Sequence, residues 1–199
     1  MNALAGALAR LAVDLAKLHP RWALVGGVAI SIRSRPRATF DLDLAVAVSG
    51  DREAEALVRA LVEAGYRHEA FHLEHEGVAT ERLAMVRLSP AASDVPVPID
   101  LLFASSGLEA EIVAAAETLE VLPAVHVPVA RVEHLIALKI LAGRLQDQAD
   151  AVALLAIAST DERVRAQAAL IQITERGFAR GKDLLAELEA LERRLASPG

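Results

Sequence analysis

The stretch from Trp22 to Val48, WALVGGVAISIRSRPRATFDLDLAVAV, constrains this chain more than any other. It reads as a short apolar strand over Trp22–Val25, a Gly26–Gly27 turn, a short helix, and a second strand carrying Asp41-Leu42-Asp43. Side chains alternate along a strand, so Asp41 and Asp43 share one face while Leu42 and Leu44 share the other. At about 3.3 Å per residue, the two acids have Cα atoms roughly 6–7 Å apart. Two carboxylates this close repel, and one tends to keep its proton. A hard divalent cation, Mg²⁺ or Mn²⁺, removes the conflict and prefers oxygen ligands.

The glycines extend the same idea. Gly26 and Gly27 sit where a strand gives way to a helix. Glycine permits close approach of a ligand, and a helix N-terminus attracts phosphate. One segment thus offers an anion cradle followed by a carboxylate pair for a metal. Metal and triphosphate together are what nucleotidyl transfer requires.

The chain has 199 residues, 54% of them apolar, which suits one medium domain or a domain with a helical appendage. Aromatics make up only 3%, so the core has to be built from Leu, Ala, Val and Ile. Cysteine is absent, which excludes disulfides and thiolate metal sites. No apolar run reaches the roughly 18 residues of a membrane span, and the N-terminus lacks the pattern of a signal peptide. The expectation is a cytoplasmic protein. A net charge of −6 argues against broad nucleic-acid binding but allows a local basic patch, for which Arg33, Arg35 and Arg37 are candidates.

Taken in order, Leu4, Leu8, Leu11, Leu15 and Leu18 predict a helix over 3–18. After the opening motif, 52–64 reads as a helix ending at Gly65. Arg67–Glu74 and Arg82–Leu88 read as a hairpin. Val97–Phe103 is an apolar strand broken by Asp100, an acid that is either exposed at the strand start or part of a site. A helix over 108–117 and an extended segment over 119–129 follow. A domain boundary is expected there, giving residues 1–129 and a helical region over 130–199. Leu138, Leu141, Ala142, Leu145, Ala149, Val152 and Ala156 form a stripe at helical spacing. On that one helix, Lys139, Gln146 and Asp150 nearly align, with Gly143 close to the line and Asp147 beside it. Further helices are marked by Val164, Ala168 and Ile171, and by Leu184, Leu185, Leu188, Leu191 and Leu195. On a strand His68 and His72 share a face but His75 does not, and exposed hairpin histidines are the better reading than a metal site.

Gly-Gly followed by Arg37-x-Thr39-x-Asp41-x-Asp43 resembles the nucleotidyltransferase superfamily typified by DNA polymerase β. The form GGVAISIRSRPRATFDLDL is similar to the AbiEii-type nucleotidyltransferases, toxins of type IV toxin–antitoxin pairs. Gly27 stands where most of the superfamily has serine. HLIALKILAGRLQDQAD resembles the same branch, with Gln146 at a place often held by Lys or Arg. The resemblance implies an α+β fold, a mixed sheet flanked by helices with a helical C-terminal region. It implies Asp41, Asp43 and Asp100 as metal-binding and catalytic acids. It adds Lys139 and Asp150 as catalytic residues, with Asp147 as the close alternative to Asp150. Gly26, Gly27, Arg37, Thr39 and Lys139 are the expected nucleotide-binding set.

The function so implied is transfer of a nucleoside monophosphate from an NTP to an acceptor, releasing pyrophosphate. RNA, including the tRNA 3′ end, or a protein are the acceptors, and an antitoxin protein is the further partner. Two other readings stay open: nucleotidylation of a small molecule, as in aminoglycoside-modifying relatives, and a non-catalytic binding module that kept the fold.

Overall fold

A computed structural model describes residues 3–76, 80–91 and 95–196, with backbone alone for 74–76 and 80–81. The side chain of His75 lies outside the described residues. The order of elements is α1 (Ala3–Leu18), β1 (Arg21–Val25), α2 (Gly26–Arg33), β2 (Leu42–Ala47), α3 (Asp51–Glu63), β3 (Tyr66–Glu76) and β4 (Thr80–Pro90). There follow β5 (Ile99–Leu102), α4 (Glu109–Ala115), β6 (Glu117–Leu122), β7 (Val125–Val129), α5 (Val132–Ala142), α6 (Leu145–Ile157), α7 (Thr160–Glu175) and α8 (Leu184–Ala196).

The fold is α+β, built on a mixed sheet in the order β3-β4-β5-β2-β1-β7-β6. β2 runs antiparallel to β1 and parallel to β5, and β4 runs antiparallel to β5. In the centre of the sheet Leu42, Leu44, Ile99, Leu101 and Leu88 are fully buried. One hydrophobic cluster joins α1, the central strands and helices α5 to α8. The expected division after residue 129 falls at the β7–α5 junction, and this cluster continues across it.

Three local expectations change. The extended segment 119–129 is a hairpin, β6 with β7, turned at Pro123-Ala124, where Ala124 has φ 62°. In α7 the marked residues Val164 and Ile171 face outward, and Ala166, Ala169, Leu170 and Ile173 are buried instead. The long helix from Val132 is two helices. Gly143 is left-handed, φ +72°, and its N–H bonds to the Lys139 carbonyl, which closes α5. Lys182 Nζ then donates to the Leu141 and Ala142 carbonyls at 2.7 and 3.1 Å. α6 restarts at Leu145 with a new phase, so Leu145 is exposed and Ala151, Leu154 and Leu155 carry its core face.

β3 also departs from regular alternation. A bulge between His68 and Ala70 sends His68 to the face of Phe71 and Val86, where its ring lies 6.2 Å from that of Phe71. His72 turns to the opposite face. The expectation that the two histidines share a face is therefore wrong, because the extra residue at Glu69 shifts the register by one.

Candidate active site

Three neighbouring strands set the acids in one row. In the parallel β2–β5 pair Asp43 stands opposite Asp100, and in the antiparallel β4–β5 pair Arg87 stands opposite Asp100. On the other side Asp43 faces Val25, the last residue before Gly26. The row therefore reads Arg87, Asp100, Asp43, Val25 across β4, β5, β2 and β1. Asp41 lies two residues before Asp43, just outside β2.

Gly26 makes room for this row. It has φ +63°, and a Cβ built on it would fall 1.8 Å from Asp43 Oδ2. The Gly27 N–H donates to the Asp43 carboxylate. The start of α2 is thus pinned to Asp43, and that N–H is already used within the chain. Gly27 is also constrained: a Cβ there would lie 2.5 Å from Thr39 Oγ1 and 2.7 Å from Arg37 Nη2. The Thr39 hydroxyl donates to Asp41 Oδ1 at 2.8 Å. The Arg37 N–H and carbonyl both meet Ser31 Oγ, which folds the Arg-x-Thr-x-Asp loop back onto α2.

Gly26→Ala should therefore cost about 1–3 kcal/mol in backbone strain and displace the Asp43 carboxylate. The expected result is a lower melting temperature with weakened Mn²⁺ binding by calorimetry. Wild-type values for both would contradict this packing.

Asp43 is electrostatically crowded. Burial first, then the negative charges of Asp41 and Asp100, push its carboxyl up to about 6, against weaker opposing effects from Lys139 and the Gly27 N–H. A carboxyl held this high marks a place short of positive charge. Oxygen donors and a charge deficit fit a hard divalent cation at Asp41 and Asp43. Asp100 is occupied differently: Arg87 Nε and Nη2 each donate to one of its carboxylate oxygens at 2.7 Å. This bidentate pairing raises the Arg87 guanidinium above its ordinary value. Among the described residues no three His, Asp or Glu side chains stand close enough together to surround one ion.

The second cluster comes from the two helices separated at Gly143. The break turns α6 back so that its acids meet Lys139 on α5. Lys139 Nζ lies 2.7 Å from Asp147 Oδ1 and 3.5 Å from Asp150 Oδ2. Asp147 also binds Arg144, whose backbone N–H and Nε donate at 3.2 and 2.7 Å. Burial acts upward on the Asp147 carboxyl, but the hydrogen bonds from Arg144 and Lys139 outweigh it and hold the carboxyl below the usual range. Asp150 Oδ1 accepts from Gln146 Nε2 at 3.0 Å and lies 3.1 Å from Arg37 Nε. Lys139, Asp147 and Asp150 are all buried. Arg37 thus ties the strand motif to the helical region.

A cavity of about 530 Å³ opens onto these groups. Gly26, Asp43, Asp100 and Lys139 line it, together with an apolar wall that includes Leu102, Leu135 and Leu138. Ser105, Ser106, Arg144 and Arg180 give it a polar side. Gly27, Arg37, Thr39, Asp41 and Asp150 are not among its lining residues and connect to it through the bonds above. Both Ser105 and Ser106 bond through N–H and hydroxyl to the buried Glu109 Oε1, which fixes their loop. Two members of the expected patch of Arg33, Arg35 and Arg37 are drawn to different acids, Arg37 to Asp150 and Arg33 to Glu117. Arg33 donates to Glu117 at 2.7 Å and to the Ala130 and Val129 carbonyls, where β7 ends. Sequence reasoning missed Arg87. Its one signal is an arginine on the face of β4 opposite Val86 and Leu88, which a solvated strand shares.

Residues 7–198 match the sequence model of the family described as "Nucleotidyl transferase AbiEii toxin, Type IV TA system". No curated protein matches the chain. Among solved structures, an antigenic nucleotidyltransferase-like protein from Paracoccidioides brasiliensis is similar in fold. It is 18% identical, with a TM-score of 0.53 over 92% of this chain and 90% of that one. JHP933 from Helicobacter pylori is 16% identical, with a TM-score of 0.44 over 96% of this chain and 88% of that one. A putative nucleotidyltransferase from H. pylori is likewise 16% identical, with a TM-score of 0.44 over 96% and 91%. Matched from Ala7 almost to its last residue, the chain belongs to the AbiEii nucleotidyltransferase toxin family of type IV toxin–antitoxin systems.

Proposed function

We propose that this protein transfers a nucleoside monophosphate from an NTP to a hydroxyl of RNA, the tRNA 3′ end included, and that an antitoxin protein counters it. The observation that carries the reading is the row of Asp43 and Asp100, with Asp41 beside it, at the wall of a cavity that Lys139 also lines. In the reaction the acceptor oxygen bonds to the α-phosphorus, the bond from that phosphorus to the β-phosphate oxygen breaks, and pyrophosphate leaves. A bound Mg²⁺ or Mn²⁺, held by Asp41 and Asp43, supplies charge neutralisation at the phosphates.

The chain's own groups do the rest. Gly26, which lines the cavity, makes room for the Asp43 carboxylate where the triphosphate would lie. Asp100 would take the proton from the attacking hydroxyl, or would join Asp41 and Asp43 in holding the cation. Lys139 offsets charge on the leaving pyrophosphate, and Arg37 holds Asp150 so that the lysine keeps its place. Of the two helix acids, Asp150 is the one joined to both the lysine and the strand motif. Arg144 and Arg180 line the cavity and are the cations that an RNA acceptor's phosphates would meet there. Residues 1–129 supply the acids and the helical region supplies the lysine.

The test is incorporation of each labelled NTP into total RNA with Mg²⁺, wild type beside Asp41→Ala. Label in RNA from the wild type only is the expected result, with a loss of at least about 10³-fold in the variant. Equal labelling by both proteins would sink the role of Asp41. Binding of NTP without any labelled RNA would move the acceptor to a small molecule or a protein.

A further inference from the structure

We propose that Arg87 stands in for a cation at Asp100, and that the guanidinium has to leave before Asp100 serves in transfer. This makes Arg87 a positioning residue for the reaction, and the inference rests on the reading above.

Three observations carry it. First, Arg87 belongs to the same cross-strand row as Asp100 and Asp43, so its charge sits where the row's own carboxylates need it. Second, its hold on Asp100 is complete. Nε and Nη2 each take one carboxylate oxygen at 2.7 Å, so both oxygens that a cation would use already meet a positive group. Third, the two partners differ in exposure. The Asp100 side chain is 10% exposed and that of Arg87 42%. The acid is fixed in the sheet, while the arginine reaches in from the solvent side and can withdraw along the way it came. An ion pair made only for stability has no need of this asymmetry. A displaceable one does, because the charged partner that leaves has to be rehydrated cheaply.

The exchange is then a swap of one positive group for another. Without a cation, Arg87 offsets the charge of Asp100 and so lessens its share of the repulsion among the three acids. When cation and nucleotide arrive, Asp100 turns from the guanidinium to them, and the freed Arg87 lies at the edge of the site.

Mn²⁺ titration of the metal-stripped full chain by calorimetry tests this without reference to turnover. Arg87→Met removes the charge and both donors at similar length, and it is expected to bind Mn²⁺ at least tenfold more tightly than wild type. Arg87→Lys, a milder change that keeps a point charge but not the two-pronged hold, is expected to fall between them. Adding Asp100→Asn to either variant should return the affinity to the wild-type level or below, since the gain runs through Asp100. Mn²⁺ affinity equal to or weaker than wild type in both single variants would overturn the proposal. Should Arg87→Met not fold, Arg87→Lys decides it alone. If the wild type and every variant fail to bind Mn²⁺, the cation reading of Asp41 and Asp43 falls with it. Binding in the wild type with no gain in the variants removes the role of Arg87 only.

Discussion

Asp43→Asn is expected to make the protein more stable above pH 6 while abolishing nucleotidyl transfer. The gain follows from the raised carboxyl of Asp43, which titrates at about 6 in the folded chain against an ordinary value of 3.8. Well below pH 3.8 the group is neutral in both folded and unfolded states and carries no penalty. As the pH climbs from 4 to 6 the unfolded chain gives up its proton first, so the folded state loses ground; beyond pH 6 the loss is constant. Each tenfold difference in proton affinity between the two states is worth about 1.4 kcal/mol, so the full penalty is about 3 kcal/mol at most. Asparagine removes the charge and still accepts from the Gly27 N–H. Urea unfolding in EDTA should show the variant ahead by about 1–3 kcal/mol at pH 8 and level with wild type at pH 4. Mg²⁺ should narrow the gap at pH 8, because only the wild type offers it two carboxylates at this place. A variant less stable than wild type at pH 8 in EDTA would mean that Asp43 is well compensated in the fold. Loss of transfer by at least about 10³-fold is expected together with the gain.

Lys139→Met should have the opposite effect on stability. Asp147 and Asp150 are buried and share the Lys139 ammonium. Breaking a buried ion pair from one side typically costs about 3–5 kcal/mol. Arg144 and Arg37 still reach the two acids, so the lower end, about 3 kcal/mol, is the expected loss. The pH dependence has the reverse sign to that of Asp43. The Asp147 carboxyl lies below its ordinary value in the folded chain, so its contribution is present above the unfolded value and fades as the pH falls through the folded one. The gap between wild type and Lys139→Met is therefore widest at neutral pH and closes in acid. Combining Lys139→Met with Asp147→Asn should recover part of the loss, and a strictly additive double variant would show that the two side chains do not interact.

What can be read ahead of the structure depends on how local the cause is. The strand, glycine turn and paired acids of the opening motif lie within a few residues of one another, and alternation alone puts Asp41 and Asp43 on one face. Asp100 is legible as a lone acid in an apolar run. Arg87 is not, because an arginine on alternate positions of a strand is what a solvated face also shows; only the β4–β5 register puts it on Asp100. Gly143 looks like room for a ligand inside one long helix. Its left-handed backbone, capped by Lys182 from a distant loop, instead makes a corner, and that corner brings Asp147 and Asp150 back onto Lys139. The bulge at Glu69 leaves no mark in the sequence, so strict alternation puts the histidines on one face that the strand does not offer. Arg33 is claimed by Glu117 and the end of β7, contacts that become visible only when the second hairpin is in place.

The row of Arg87, Asp100 and Asp43 has a meaning for how the chain assembles as well as for what it does. Each of its members alternates with a position on the other face of the sheet, where Leu42, Ile99 and Leu88 meet in one row and Leu44, Leu101 and Val86 in the next. A slip of one residue in either pairing turns the whole strand over. A carboxylate, Asp43 or Asp100 according to the strand that slips, would then enter an apolar layer with no donor to meet it, while leucines took its place in the open cavity. The charges thus act as a checking device during folding. They favour the alignment in which the sheet's acids, and the arginine that holds one of them, arrive on the side of the cavity.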